Sequence, residues 1–117
     1  LKKSINFLEK KYDPDIKWRS KVNYELRNEY KKIFNKINRL IFLKVPNFEC
    51  VYKWRLLQEK KLQLTSKGKK IMSPTQVKNF IMYYERTTKQ MLVGLTKKAY
   101  AVLYLDKKHR FNKIKIN

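Results

Sequence analysis

Two short runs hold side chains that could act on an anionic ligand. Trp54-Arg55-Leu56-Leu57-Gln58-Glu59-Lys60-Lys61 offers one guanidinium and two ammonium groups. Tyr84-Glu85-Arg86-Thr87-Thr88 offers a second guanidinium beside two hydroxyls. An arginine can grip phosphate or carboxylate oxygens through two parallel N–H bonds, which a lysine cannot. The first run follows an apolar stretch, a proline and a short turn. Ligands of α/β sheets bind beyond the carboxyl ends of the strands, so a basic helix starting there can reach a bound phosphate. A plain amphipathic helix with a solvated cationic face has the same spacing. In the second run the threonines fall in mid-helix, where their propensity is poor. Surface pairing of Glu85 with Lys89 describes that run equally well.

Other chemistries find no residues. The chain has no Gly-x-x-x-x-Gly-Lys-Ser/Thr and no Gly-x-Gly-x-x-Gly; its two glycines are Gly68 and Gly94. A phosphate cradle of that kind cannot be built from it. His109 lies in a charged tail and reads as a surface residue, so no triad is legible. Cys50 sits on an apolar helix face and reads as core. One histidine and one cysteine leave no His/Cys zinc site, and no metal ligand is expected in this chain. Glu25 and Glu29 are four apart, but Arg27 and nearby lysines make them a solvated face rather than an acid–base pair.

The 117 residues allow one small domain, and 43% hydrophobic content is too high for a disordered polar chain. Thirty basic residues against nine acidic ones give a net charge of +21. That is the footprint of a nucleic-acid or anion binder. It is also what a composition rich in Lys, Asn, Ile, Tyr and Phe produces, since all have AT-rich codons. Only six of the basic residues are arginine, the residue sequence-specific DNA readers depend on. A phosphorylated small molecule suits the same field. No apolar run is long enough to span a membrane. No signal peptide is readable, and the single cysteine points to the cytoplasm.

The elements that must position these side chains follow from periodicity. Asp13-Pro14-Asp15 signals a helix start. Trp18, Val22, Leu26, Tyr30, Ile33, Phe34 and Ile37 then predict one amphipathic helix of about five or six turns. Arg39–Val45 reads as a buried strand ended by Pro46. Asn47 caps a helix marked by Phe48, Val51, Tyr52, Arg55, Leu56, Glu59 and Leu62. A basic loop spans residues 65–70. Ser73-Pro74-Thr75-Gln76 is a capping box. Its helix buries Val77, Phe80, Ile81, Tyr84, Thr88, Met91 and Leu92, and Gly94 stops it. Ala99–Leu105 is a second buried strand, and a basic tail from Asp106 to Asn117 adds a final irregular segment or strand.

The order helix-strand-helix-helix-strand implies an α/β fold with a parallel crossover. Two parallel strands are not a free-standing core, so further strands are expected from outside this chain. The first residue, Leu1, fits the expectation of a fragment or processed product.

Several runs resemble the bacterial and plant-type D-glycerate 3-kinases, of the P-loop group that includes phosphoribulokinase, uridine kinase and pantothenate kinase. The resemblance lies in Val45-Pro46-Asn47-Phe48-Glu49, then Val51-Tyr52-Lys53-Trp54-Arg55, then Gln58-Glu59-Lys60-Lys61-Leu62. Upstream, Ile5-Asn6-Phe7-Leu8-Glu9 and Trp18-Arg19-x-x-Val22-Asn23 are similar to the family patterns. Downstream, Met72-Ser73, then Phe80-x-x-x-Tyr84-Glu85-Arg86-Thr87-Thr88-x-x-Met91-Leu92, and Leu103-x-Leu105-Asp106 match in order and approximate spacing. Thr87 stands where the family usually has Leu, and Tyr100 where it has a carboxylate. The Walker A half is missing, so the chain resembles the C-terminal, lid-bearing third of a kinase.

The resemblance implies ATP- and Mg²⁺-dependent phosphorylation of D-glycerate to 3-phosphoglycerate, a reaction in which protein groups chiefly position and stabilise charge. It makes Arg55 the first candidate for a nucleotide-phosphate contact, with Lys60 and Lys61 second. Arg19 and Arg86 are weaker candidates for the glycerate carboxylate or the nucleotide. The catalytic base and the P-loop are expected in the missing half, in cis or on a partner chain. The fragment alone is expected to be inactive. The alternative is a small basic nucleic-acid-binding module. Against it, Trp18, Phe42, Phe48 and Phe80 fall on core-like stripes.

Overall fold

The computed structural model describes residues 1–65 and 70–117. Most of the basic loop expected at 65–70 therefore lies outside the described residues. The chain divides into two compact units, Leu1–Leu40 and Ile41–Asn117.

The first unit is helical: α1 (Phe7–Tyr12), α2 (Lys17–Arg27) and α3 (Glu29–Phe34). Asn6 opens α1 by accepting the Glu9 N–H at 3.0 Å. Asp13 does cap the next helix, but from further back than expected. Its carboxylate accepts the N–H groups of Trp18 at 2.8 Å and Arg19 at 3.0 Å. Pro14 therefore lies in the connecting turn and not at the first helical position. The turn closes through Ile16, which is left-handed at φ 63°, a costly conformation for a β-branched residue.

The single long helix expected from Ile16 to Ile37 is two helices. Asn28 breaks it, at φ −110° and ψ −80°. Its side-chain amide donates to the Tyr24 carbonyl at 2.8 Å, which offers the backbone an alternative to the helical ladder. Glu25 and Glu29 thus sit on different helices. Glu25 pairs with Lys21 and Glu29 with Lys32, as solvated charges do. The apolar stripe is not buried: Trp18 is 67% exposed and Ile33 59%.

The second unit contains β1 (Ile41–Lys44), α4 (Phe48–Thr65), α5 (Pro74–Ile81), α6 (Glu85–Lys98), β2 (Ala101–Leu105) and β3 (Phe111–Ile116). The sheet order is β1-β2-β3. Strands β1 and β2 are parallel, with Ile41 opposite Ala101 and Lys44 opposite Tyr104. The basic tail supplies β3, antiparallel to β2. Mixed α/β architecture is thus observed, with a small three-stranded sheet.

Capping explains the helix starts. Asn47 accepts the Cys50 N–H at 3.0 Å. Ser73 and Gln76 complete the capping box in both directions. The helix beginning there ends sooner than expected. The N–H groups of Tyr83 and Tyr84 reach back three residues, to Phe80 and Ile81. This tight turn separates α5 from α6, so Thr87 lies in the first turn of α6 and not in mid-helix. Gly94 stops nothing; it lies inside α6.

The core of this unit is Phe42, Cys50, Val77, Ile81, Ala99, Ala101 and Val102. Val77 and Val102 are fully buried, each contributing about 2 kcal/mol of apolar burial. Phe42 and Val102 share one sheet face, which is covered. The opposite face carries Ile41, Leu43, Ile114 and Ile116, all more than half exposed. Of the two strands expected to be buried on both faces, β1 is buried on one, while β2 also buries Ala101 on the opposite side.

Candidate functional site

Arg55 is held from several sides. It is one helical turn before Glu59 on α4, and its Nη1 forms an ion pair with Glu59 Oε1. Its Nη2 lies 4.0 Å from Met72 Sδ, and its guanidinium carbon is 5.8 Å from the Phe80 ring centroid. Glu59 is buried at 4% exposure, and its other oxygen accepts the Met72 N–H at 3.1 Å. That backbone N–H first, and Arg55 second, hold the Glu59 carboxyl below its ordinary range. Phe80 meets Tyr84 edge to face at 5.7 Å. Burial pushes the Tyr84 phenol up, and the Arg55 charge opposes it.

The result is one cluster in which α4, the segment entering α5, and the end of α5 converge on a guanidinium. Residues of three separate motifs meet there: Arg55 with Glu59, Met72, and Phe80 with Tyr84. The sequence pointed to Arg55 but not to Glu59 as its partner; the i,i+4 spacing of opposite charges was the available signal.

Lys60 and Lys61 are exposed. At 3.6 residues per turn they project about 140° and 240° around the helix from Arg55, so neither shares its face. The structure does not gather the three cations at one point. Arg86 is half-buried in the first turn of α6, where Glu85 pairs with Lys89 at 2.7 Å.

Arg19 belongs to the first unit and is 6% exposed. Its Nε donates to the Leu1 carbonyl at 3.1 Å and its Nη1 to the Asp13 carbonyl at 3.1 Å. The Glu9 and Asp13 carboxylates lie 3.7 and 3.5 Å from Nη1. It borders a pocket of about 190 Å³ with Lys2, Ser4, Glu9, Lys10 and Pro14.

His109 is exposed as expected, but it has a partner that the sequence does not reveal. It stacks on Trp54. It occupies the turn between β2 and β3, which Asp106 organises by accepting the Lys108 and Arg110 N–H groups at 2.9 and 3.0 Å. Those bonds, the Arg110 N–H foremost, hold the Asp106 carboxyl below its usual range.

Among the described residues no group of three His, Cys, Asp or Glu side chains could hold a metal ion. No ligand for a magnesium ion is assigned to these residues. No helix of the described residues is long and apolar enough to cross a membrane. No family model, no curated protein and no solved structure matches the chain.

Proposed function

We propose that this chain is the lid-bearing portion of an ATP-dependent kinase of the D-glycerate 3-kinase type. The observation that carries the proposal is the Arg55 cluster. Three motifs of the family resemblance, separated by up to 29 positions in sequence, contribute side chains to one assembly around a single guanidinium.

The sheet supports the same reading. Strand β1 is an edge, and the face carrying Ile41 and Leu43 is bare. A parallel pair normally lies inside a sheet covered on both faces. The missing cover and neighbouring strands would come with a P-loop half, in cis or as a partner chain, which would also cradle the triphosphate. Arg55 would then stabilise charge on the transferring phosphoryl group; Lys60 and Lys61, on other faces of α4, would not share that contact. Arg86 is a candidate for a substrate carboxylate. Arg19 is a second candidate, with its Nε and Nη1 bonded to backbone carbonyls.

The test is ATP- and Mg²⁺-dependent phosphorylation of D-glycerate by the whole product of the reading frame that carries this chain. Turnover is expected for that product and not for these 117 residues alone. Arg55→Lys should lower kcat/KM at least tenfold with the fold retained, because lysine lacks the paired donors. Turnover by the isolated chain, or none by the whole product, overturns the proposal.

A second reading rests on a different observation. Trp18, Tyr12 and Phe7 are exposed, and Lys11 lies over the rings of Phe7 and Tyr12 at 5.6 and 5.2 Å. Exposed rings interleaved with lysines are what a single-stranded nucleic-acid platform uses. Retention of an oligonucleotide at physiological salt by the wild type, lost in Trp18→Ala, would favour it over the kinase.

A further inference from the structure

Strand β3 has β2 on one side and, among the described residues, no strand on the other. All six of its residues are exposed. The Asn117 N–H bonds to the Tyr100 carbonyl at 3.0 Å, continuing the antiparallel register that sets Lys115 opposite Val102 and Lys113 opposite Tyr104. Successive residues of such a ladder turn their backbone groups alternately toward the partner strand and away from it. Asn117, Lys115 and Lys113 therefore face β2 with their backbone, and Ile114 and Ile116 present their N–H and C=O groups outward. An edge of this kind is a template for one more strand.

The side chains divide along the same alternation. Ile114 and Ile116 stand on the bare face, opposite Leu103 and Ala101. Lys113 and Lys115 stand on the face that Phe42 and Val102 share. A strand added antiparallel to this edge would set apolar residues beside the two isoleucines and extend the bare face. Its alternate residues would meet Lys113 and Lys115 in non-hydrogen-bonded pairs, with Cα atoms about 4.5 Å apart, where side chains come closest. Opposite charges in such pairs stabilise and like charges destabilise. A second copy of β3 that pairs Ile114 with Ile114 or with Ile116 sets lysine against lysine. The edge thus disfavours its own copy and complements carboxylates.

We propose that the outer edge of β3 docks an extended segment of a partner protein in which acidic and apolar residues alternate. Ladder hydrogen bonds at Ile114 and Ile116 supply the affinity, and carboxylates opposite Lys113 and Lys115 the selectivity. This edge is separate from the Arg55 cluster, and the proposal does not rest on the kinase reading.

The probe is a capped synthetic peptide, Glu-Val repeated four times, titrated into the full chain at physiological salt and followed by amide NMR and hydrogen exchange. One control peptide has the same residues with the glutamates grouped in one block, and another has lysine for glutamate. Saturable shifts and new exchange protection at the Ile114 and Ile116 N–H groups are expected, with binding at least tenfold tighter than for either control. Ile114→Pro removes an outward N–H and leaves the ladder to β2 intact, and should weaken binding at least tenfold. If that variant loosens β3, the double variant Lys113→Glu, Lys115→Glu decides: it should prefer the lysine peptide to the glutamate one. Equal binding of the block peptide would mean only that a chain of charge +21 attracts any polyanion. That result, no saturable binding, protection outside β3, or an unchanged preference in the charge-reversed chain overturns the proposal.

Discussion

The indole of Trp54 and the imidazole of His109 lie face to face, 4.1 Å between centroids and 10° from parallel. The contact ties the middle of α4 to the turn between β2 and β3. It is made by a residue in the left-handed region, His109 at φ 62°. Ring contact and backbone strain therefore oppose each other at one position.

His109→Ala removes the ring and keeps a Cβ in that conformation, while His109→Gly removes both. The alanine variant should lose about 0.5–1.5 kcal/mol from the ring contact. The glycine variant should be the more stable of the two by roughly 1 kcal/mol. Thermal melts of the two chains check the order.

Glu59 predicts a pH dependence. Its carboxyl is held below its ordinary value in the folded chain. A depressed folded value gives stability that is present above the unfolded value, about 4.3, and lost as pH falls through the folded one. Wild type should exceed Glu59→Gln in urea midpoint at pH 7, and the gap should close toward pH 3. A gap independent of pH would show that the charge of Glu59 contributes nothing.

Gly94 occupies the interior of α6, and a Cβ added there meets nothing within 4 Å. Gly94→Ala should stabilise the chain by about 0.8–1 kcal/mol, the difference in helix propensity. Chemical denaturation measures it directly.

Arg19 is the hub of the first unit. Its removal would take one cation away from two buried carboxylates, Glu9 and Asp13. Breaking a buried pair in this way costs about 3–5 kcal/mol. Arg19→Met should abolish hydrogen-exchange protection in α1 and α2 of the whole chain. Protection unchanged from wild type would mean that the two carboxylates find other partners.

Much of the second unit was legible from sequence because local signals and packing agree there. The Asn47 cap, the capping box at Ser73, the parallel pairing of two apolar runs and the burial of Cys50 all follow from residue type and spacing. The misread places are those where a side chain competes with the helical ladder. Asn28 takes a carbonyl of its own helix, and the turn at Tyr83 and Tyr84 satisfies the backbone three residues back. Neither interrupts the apolar period, so periodicity alone runs through both. Gly94 shows the converse: a residue that can end a helix does not when the apolar pattern continues past it. For the site, charge spacing located Arg55. It could not show that Arg55 turns inward to Glu59 while Lys60 and Lys61 face elsewhere, nor that His109 meets Trp54 across 55 positions.

The bare sheet face described for the second unit also governs how copies of this chain behave together. A short edge strand and exposed Ile41, Leu43, Ile114 and Ile116 form a template for self-association. A net charge of +21 opposes it, since like-charged molecules repel at long range. Salt weakens that repulsion, whose reach falls from about 30 Å at 0.01 M to about 8 Å at 0.15 M, and leaves the apolar attraction in place. The purified chain should therefore scatter light increasingly as salt is added. Ile41→Lys, which charges the edge itself, should keep it dispersed.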